Sequence, residues 1–335
     1  MSTFLRVPHN LIRRNLSRIE RAFAVAGLTG LVYALLSGLP VYPPFWDVVI
    51  LAAVFLSGLY APGIGYLIAL AAAAFPLFTV SEYLAALFLA VGILGYRAFV
   101  QNLGAAVLVL AAPFLSGYSL VWIVPLLGGL WWGASGGAWT GGLAALWGML
   151  AAGMAGLNPD WLVLLGDTPS LRLRSGQAMS AVVERFAAAD SLETLILLLE
   201  PLTSDTTVLL YHVLQIGAWA FMGSLVGKLA DRKSVQDRHP WGTALIAILA
   251  PFVLLAAHVG LAFWLGQQSA ETLPPWDTLL VAAAAVGVSA AALEFLHDFF
   301  EHPLPRLRFR ERKRPSSAYP NDADASPGPA HIPSR

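Results

Sequence analysis

Two positions in this apolar chain have residue types suited to acyl-transfer chemistry. They are Ser135, in Gly133-Ala134-Ser135-Gly136, and His258, in Ala257-His258-Val259-Gly260. A serine becomes a nucleophile only when a base within hydrogen-bond reach takes its proton, so the pair needs a common depth in the fold. A second set is of a binding kind. His212 and Gln215 lie nearly one above the other in a helix starting near Thr207, with Tyr211 and Trp219 adding ring surface. At 1.5 Å per residue His212 falls about 8 Å, and His258 about 10 Å, below the same membrane surface. Ionisable residues inside a span point to function. His212, Gln215, His258, Tyr211 and Trp219 are therefore expected to line a small-ligand cavity. In the plainer reading each histidine bonds a backbone carbonyl. A third set, Glu294, His297, Asp298, Glu301 and His302 in "EFLHDFFEH", has metal-ligating types along one helical side. Pro303 and the basic run "RLRFRERKR" (306–314) follow at once, which favours a solvated helix end paired with those arginines. No metal, cofactor or catalytic residue is assigned.

The elements that must carry these residues are membrane helices. The chain has 335 residues, 57% hydrophobic and 12% charged, with a mean hydropathy of +0.68. Soluble domains carry about 25% charged residues, and here the charges are clustered between long uncharged runs. The composition implies an all-α, polytopic transmembrane bundle in contact with the lipid bilayer. Zero net charge gives no sign of nucleic-acid binding, and the absence of cysteine excludes disulfides and thiolate chemistry. Arg6, Arg13, Arg14, Arg18 and Arg21 precede an apolar run of nearly spanning length without a small-residue cleavage site, which reads as an uncleaved first helix.

About ten spans are expected, over 22–39, 45–60, 62–80, 82–97, 98–116, 119–134, 137–157, 207–230, 241–265 and 276–298. Lys and Arg mark the cytoplasmic side of such a chain. With the N-terminus inside, Arg97, Lys228, Arg232, Lys233, Arg238 and the 306–314 run all fall on that side. Both termini are then cytoplasmic, in a bacterial plasma membrane. The expected organisation is a basic N-terminus (1–21), seven spans (22–157), an extracytoplasmic amphipathic segment (158–206), three spans (207–298) and a basic, then disordered, cytoplasmic tail (299–335). Within 158–206, Met179, Val182, Val183 and Phe186, then Leu192, Leu195, Ile196 and Leu199, recur at i, i+3, i+4, i+7. Two short helices flat in the interface fit this spacing, either as an anchor or as a lid over the cavity.

"VLAAPF" (109–114) and "AILAPF" (247–252) follow similar glycine-rich and basic-ended segments. This suggests a parallel duplication of a four-helix unit. Small residues recur every fourth position along the first span at Ala22, Ala26, Gly30, Ala34 and Gly38, and again at Gly129, Gly133, Gly137, Gly141 and Ala145. Such stripes let helix backbones approach closely in lipid. For the first span, packing against the chain's own helices is expected, with docking of a partner subunit through Ala22, Ala26, Gly30 and Ala34 as the sharper reading. For the second stripe, packing already accounts for the glycines around Ser135.

Two resemblances bear on function. Gly133-Ala134-Ser135-Gly136 and Ala257-His258-Val259-Gly260 resemble the motifs of rhomboid intramembrane serine proteases. Their separation, however, far exceeds that family's two-helix interval, and no His-x-x-x-Asn helix precedes the serine. The stripe at Ala22, Ala26 and Gly30, with the glycine hairpins at 57–66 and 128–139, resembles the S components of energy-coupling-factor vitamin transporters and the membrane part of MreD proteins. That resemblance implies a first helix that docks on a coupling subunit and an outer half that binds a small molecule. S components usually have six spans and one such unit. The expected function is a non-enzymatic, transport-related membrane subunit that binds a small molecule and works with a partner, through the first helix or the cytoplasmic tail. The alternative is a scaffold or sensory module.

Overall fold

The computed structural model describes residues 12–154, 158–164, 184–187, 189, 191–266 and 274–301, all within one compact unit, Met1–His302. Of the expected tail, residues 302–335 with the basic run 306–314 lie outside the described residues, as do Met179, Val182 and Val183, while 299–301 end the last helix.

The first part of the chain forms α1 (Leu16–Gly38), α2 (Trp46–Tyr60), α3 (Pro62–Val80) and α4 (Glu82–Leu94). Pro62 opens α3, where a missing N–H costs no hydrogen bond. Ser81 caps α4 by accepting from the Leu84 N–H at 3.4 Å. The stretch expected as a single span over 98–116 is instead broken into α5 (Tyr96–Gln101), α6 (Leu103–Leu110) and α7 (Ala112–Ser116). Each break has a local cause. The Asn102 side chain donates to the Ala98 carbonyl at 3.1 Å, a local bond that competes with the helix ladder. Pro113, second in α7, has no N–H to continue α6.

The second part comprises α8 (Ile123–Met154), α9 (Trp161–Leu164), α10 (Ser191–Thr203), α11 (Thr206–Ala230), α12 (Lys233–Gln236), α13 (Trp241–Trp264) and α14 (Trp276–Glu301). Asp205 caps α11, accepting from the Thr207 N–H at 3.0 Å. These backbone hydrogen bonds favour its charged form and hold its carboxyl below the usual range. "VLAAPF" and "AILAPF" take different local structures, since Pro113 starts a short helix while Pro251 lies inside continuous α13.

Helices α1, α3, α11, α13 and α14 are long and apolar enough to cross a membrane, and α2 and α4 are shorter apolar helices. Phe23, Tyr60, Leu94, Phe221 and Val253 stand more than half exposed. An apolar surface of this kind fits a helical membrane protein in contact with lipid.

Helix α8 is a hairpin. It reverses at Gly133, whose φ of +68° and ψ of −170° lie in a region essentially reserved for glycine. The arms then fold together, Gly128 against Thr140 and Gly129 against Gly137. Helix α11 crosses both arms in the most extensive packing of the molecule. A Cβ at Gly129 or Gly137 would meet the Gly223 carbonyl, one at Gly223 would meet the Gly137 carbonyl, and one at Gly141 would meet the Trp219 carbonyl. These obstacles are backbone and cannot rotate away. The second glycine stripe therefore serves close helix approach.

The first stripe behaves otherwise. The buried face of α1 is Val25, Leu28, Val32 and Leu36. Ala26 and Gly30 are exposed, with nothing within 4 Å of the position a Gly30 Cβ would take. The expectation that this stripe packs on the chain's own helices is corrected at Ala26 and Gly30, which face outward while Ala22, Ala34 and Gly38 are half-buried; branched side chains form the buried face of α1.

Three apolar clusters result. Val25, Val54, Ala69 and Leu103 centre the first, which joins α1, α2, α3 and α6. The largest joins α7, α8, α9, α10, α11, α13 and α14. Leu39, Val80, Leu84, Phe186 and Leu198 form the third. Helix α10 buries a narrow seam of Thr194, Leu198 and Leu202, while the expected stripe Leu192, Leu195, Ile196 and Leu199 points outward. Arg185 ties α10 to α8, donating to the Glu200 carboxylate at 2.9 Å and the Gly153 carbonyl at 3.1 Å.

Candidate functional site

The described ends of α1 and α14 meet at one end of the bundle, where His297 Nδ1 lies 4.0 Å from the Glu20 carboxylate. The α8 turn lies at this terminal end too, because Trp131 donates to Glu294 there at 3.1 Å. The opposite end holds the start of α11 and the segment before α9.

At that far end the sequence Asn158-Pro159-Asp160-Trp161 turns into the bundle. Asn158 accepts from the Asp160 N–H at 3.0 Å, and Asp160 in turn accepts from the Leu162 N–H at 3.0 Å, capping the one turn of α9. Trp161 and Leu162 are fully buried. Gly148 makes this possible, since a Cβ there would collide with the Trp161 ring. Residues 159–162, expected near the start of a surface segment, are thus part of the interior.

Asp160 is 3% exposed and anchors a polar network. Tyr211 Oη donates to its Oδ1 at 3.1 Å and Oδ2 at 3.2 Å, and Gln215 Nε2 donates to Oδ1 at 2.9 Å. Tyr211 and Gln215 are four residues apart on α11, so their polar ends reach the same patch. One turn further along α11, Trp219 packs its ring on Trp161, centroids 4.7 Å apart, and donates from Nε1 to His258 Nε2 at 3.0 Å. His258 Nδ1 lies 2.8 Å from the Leu254 carbonyl. With Nε2 accepting, Nδ1 carries the proton and donates, the neutral tautomer. The Trp122 ring lies 6.1 Å from the His258 ring.

The structure thus gathers the five expected site residues into one interior region but separates their roles. Tyr211 and Gln215 hold the carboxylate. His258 sits deeper, bonded to the Trp219 level and not to that of His212, and both its ring nitrogens are engaged. His212 is 4% exposed, its ring 5.7 Å from that of Tyr211. Among the described residues, four buried polar atoms here have no hydrogen-bond partner: Trp122 Nε1, Trp161 Nε1, His212 Nδ1 and Gln215 Oε1. Two are donors, one is an acceptor, and the imidazole nitrogen serves either way with its tautomer. Such atoms inside an apolar bundle are where a small polar molecule would gain most.

Sequence reasoning missed Asp160, Trp161 and Trp122. A signal for Asp160 was present, since an Asn-Pro-Asp turn ahead of the apolar run "WLVLL" is a helix-capping pattern.

The remaining sets stay apart. Ser135 is exposed beside the α8 turn, while His258 is fully buried and doubly bonded, so the two form no nucleophile–base pair. At the terminal end, Glu294 accepts from Trp131, and His239 Nδ1 lies 3.3 Å from Asp298 Oδ2. The expected pairing with the arginines of 306–314 lies outside the described residues. No group of three metal-ligating residues comes together among the described residues. Compared with protein-family models, curated proteins and solved structures, the chain matches none.

Proposed function

We propose that this chain is a multi-pass membrane subunit that binds a small polar molecule in the half of the bundle around Asp160 and works with a partner protein. The observation that carries this reading is the set of four buried polar atoms without a partner among the described residues, Trp122 Nε1, Trp161 Nε1, His212 Nδ1 and Gln215 Oε1, the last of them on a side chain of the buried carboxylate network. The resemblance to S components adds a division of labour. The α1 stripe Ala22, Ala26, Gly30 and Ala34 docks the partner, and the far half takes the ligand. In this reading the chain crosses a bacterial plasma membrane about ten times with both termini in the cytoplasm, and the four-helix unit is duplicated in parallel. No P-loop string occurs in the sequence, so energy for transport comes from the partner or an ion gradient.

Native mass spectrometry of the tagged protein extracted gently from its own membranes tests this. The expected result is a bound small molecule that is lost in Asp160→Asn with Gln215→Leu, together with a coupling subunit or ATPase pair. A second reading, a scaffold or sensory module, draws on the α1 stripe, outward at Ala26 and Gly30, beside the terminal-end cluster of Glu20, His297, His239 and Asp298. Signalling or wall-synthesis partners without any ligand mass favour it. In that case deleting residues 303–335 abolishes association.

A further inference from the structure

We propose that the terminal end of the first helical group, residues 12–116, is a docking surface for the headgroups of anionic phospholipids, held by Arg13, Arg14, Arg18, Arg21 and Arg97. The inference goes beyond the small-molecule reading and needs only that the chain lies in a bilayer.

Charge is divided along this group. Its terminal end carries those five arginines against one acid, Glu20, while its opposite end carries Asp47 and Glu82 and no cation. All five arginines are exposed, and among the described residues none of them enters an ion pair. Glu20 lies instead 4.0 Å from His297 Nδ1.

The packing of α1 explains the exposure. Arg18, Arg21, Val25, Leu28 and Val32 follow one another at steps of three and four, so they share one side of the helix. Farther along, that side is buried as Val25, Leu28, Val32 and Leu36. Helix α2 covers Val25 at Gly58 and ends two residues later, at Tyr60. The stripe runs on past its cover as Arg21 and Arg18. Just beyond the α2–α3 turn, Gly63 lies against the Tyr96 hydroxyl, so α5 brings Arg97 to the same end.

The chemistry of this surface selects its occupant. A guanidinium presents its N–H donors in a planar fork that matches phosphate oxygens bidentately. The surroundings choose the source of the phosphate. Phe23, Tyr60 and Leu94 stand exposed at this same end, so the cationic heads border apolar surface, which fits an amphiphile and not a soluble anion. That apolar surface continues along α1 through exposed Ala26 and Gly30 into the face that meets lipid. An excess of cations favours anionic over zwitterionic headgroups, and each Lys or Arg near such a surface adds about fivefold in affinity.

The test uses the full-length protein purified in dodecyl maltoside, with dioleoyl phosphatidylglycerol or dioleoyl phosphatidylcholine added. Retained lipid is counted by native mass spectrometry, and thermal unfolding is followed in the same micelles. Wild type should prefer phosphatidylglycerol on the order of a hundredfold, with a gain in Tm that shrinks as salt is raised. Arg18→Gln with Arg21→Gln should lower the preference roughly twentyfold, and Arg97→Gln about fivefold. Arg18→Lys with Arg21→Lys should keep most of it, because the charge remains, and Asp47→Asn at the opposite end should leave it unchanged. These substitutions fall on exposed side chains, so Tm without added lipid should stay near that of wild type. Equal retention of the two lipids by wild type overturns the proposal, as does a preference indifferent to salt. A preference that survives both the double glutamine variant and Arg97→Gln also overturns it. If the double glutamine variant instead loses an acidic protein from native membranes while phosphatidylglycerol retention is unchanged, the surface is a protein interface and the lipid assignment falls.

Discussion

Asp160 and Glu294 are both carboxylates withdrawn from water in an apolar bundle, but they are held at opposite ends and by different means. Asp160 sits on an irregular turn that enters the interior, and neutral donors from two elements converge on it: Tyr211, Gln215 and the Leu162 backbone. Glu294 lies on regular α14 and receives the Trp131 indole N–H. Around it His297, Asp298 and His239 remain partly open to solvent. The first carboxylate is built into the fold, with backbone bent to place it. The second belongs to a helix end whose neighbours water still reaches. Irregular backbone at membrane depth is tolerated only where protein or a cavity surrounds it, and the Asp160 turn is enclosed by buried side chains, Trp161 and Leu162 among them.

Removing each carboxylate should break the comparison most sharply. Asp160→Ala strands the Tyr211 hydroxyl, the Gln215 amide and the Leu162 N–H together, and should cost roughly 3–5 kcal/mol. Glu294→Ala strands one indole N–H near solvent and should cost about 1–2 kcal/mol. Chemical unfolding in detergent, monitored by near-ultraviolet circular dichroism, measures both. Equal losses would mean the two sites are held alike. Next in size is Gly148→Leu, which drives a side chain into the Trp161 ring. About 1–3 kcal/mol of overpacking is expected, with tryptophan emission shifting to the red if the α9 turn is pushed out of the core. Unchanged emission would show that Trp161 is not held by that glycine.

Single donors should separate less. Tyr211→Phe is expected to cost about 1–1.5 kcal/mol, and Trp131→Phe near 0.5–1 kcal/mol. Pairing Tyr211→Phe with Gln215→Leu should give a non-additive result, because both donors share one carboxylate oxygen. Additivity would argue against the shared oxygen. The smallest effect is that of salt. Raising ionic strength screens the exposed Arg185–Glu200 pair, worth at most about 0.5 kcal/mol, and leaves the Asp160 network unmoved. A large salt effect on Asp160→Ala relative to wild type would place that carboxylate nearer water than the structure has it.

Much of the helical framework was legible because the signals were local. Apolar runs bounded by Pro62, Ser81 and Asp205 set where α3, α4 and α11 begin, and each boundary has its own cap or proline. Reading failed where apolar content stayed high while the ladder was interrupted, as at Asn102 and Pro113. It also failed at residues 159–162, where a turn too short to span was read as surface. Tyr211 and Gln215 could be picked out as polar residues in a span, but their partner Asp160 lies some fifty positions earlier and shares no periodicity with them.

The sequence by itself determined the class of this protein, because hydropathy and helix length answer to the solvent around the chain and need no knowledge of what packs on what. It determined too that glycines at Gly129, Gly137 and Gly141 serve close approach. Tertiary structure alone decided that Ala26 and Gly30 of the other small-residue stripe, on α1, face outward, since which side of an apolar helix is buried depends on branched residues fitting a neighbour. It alone decided that His258 is occupied by Trp219 and Leu254, and that Tyr211 and Gln215 meet a carboxylate. Hydrogen bonds join groups by distance in space, and in a bundle of long helices that distance bears no fixed relation to separation along the chain.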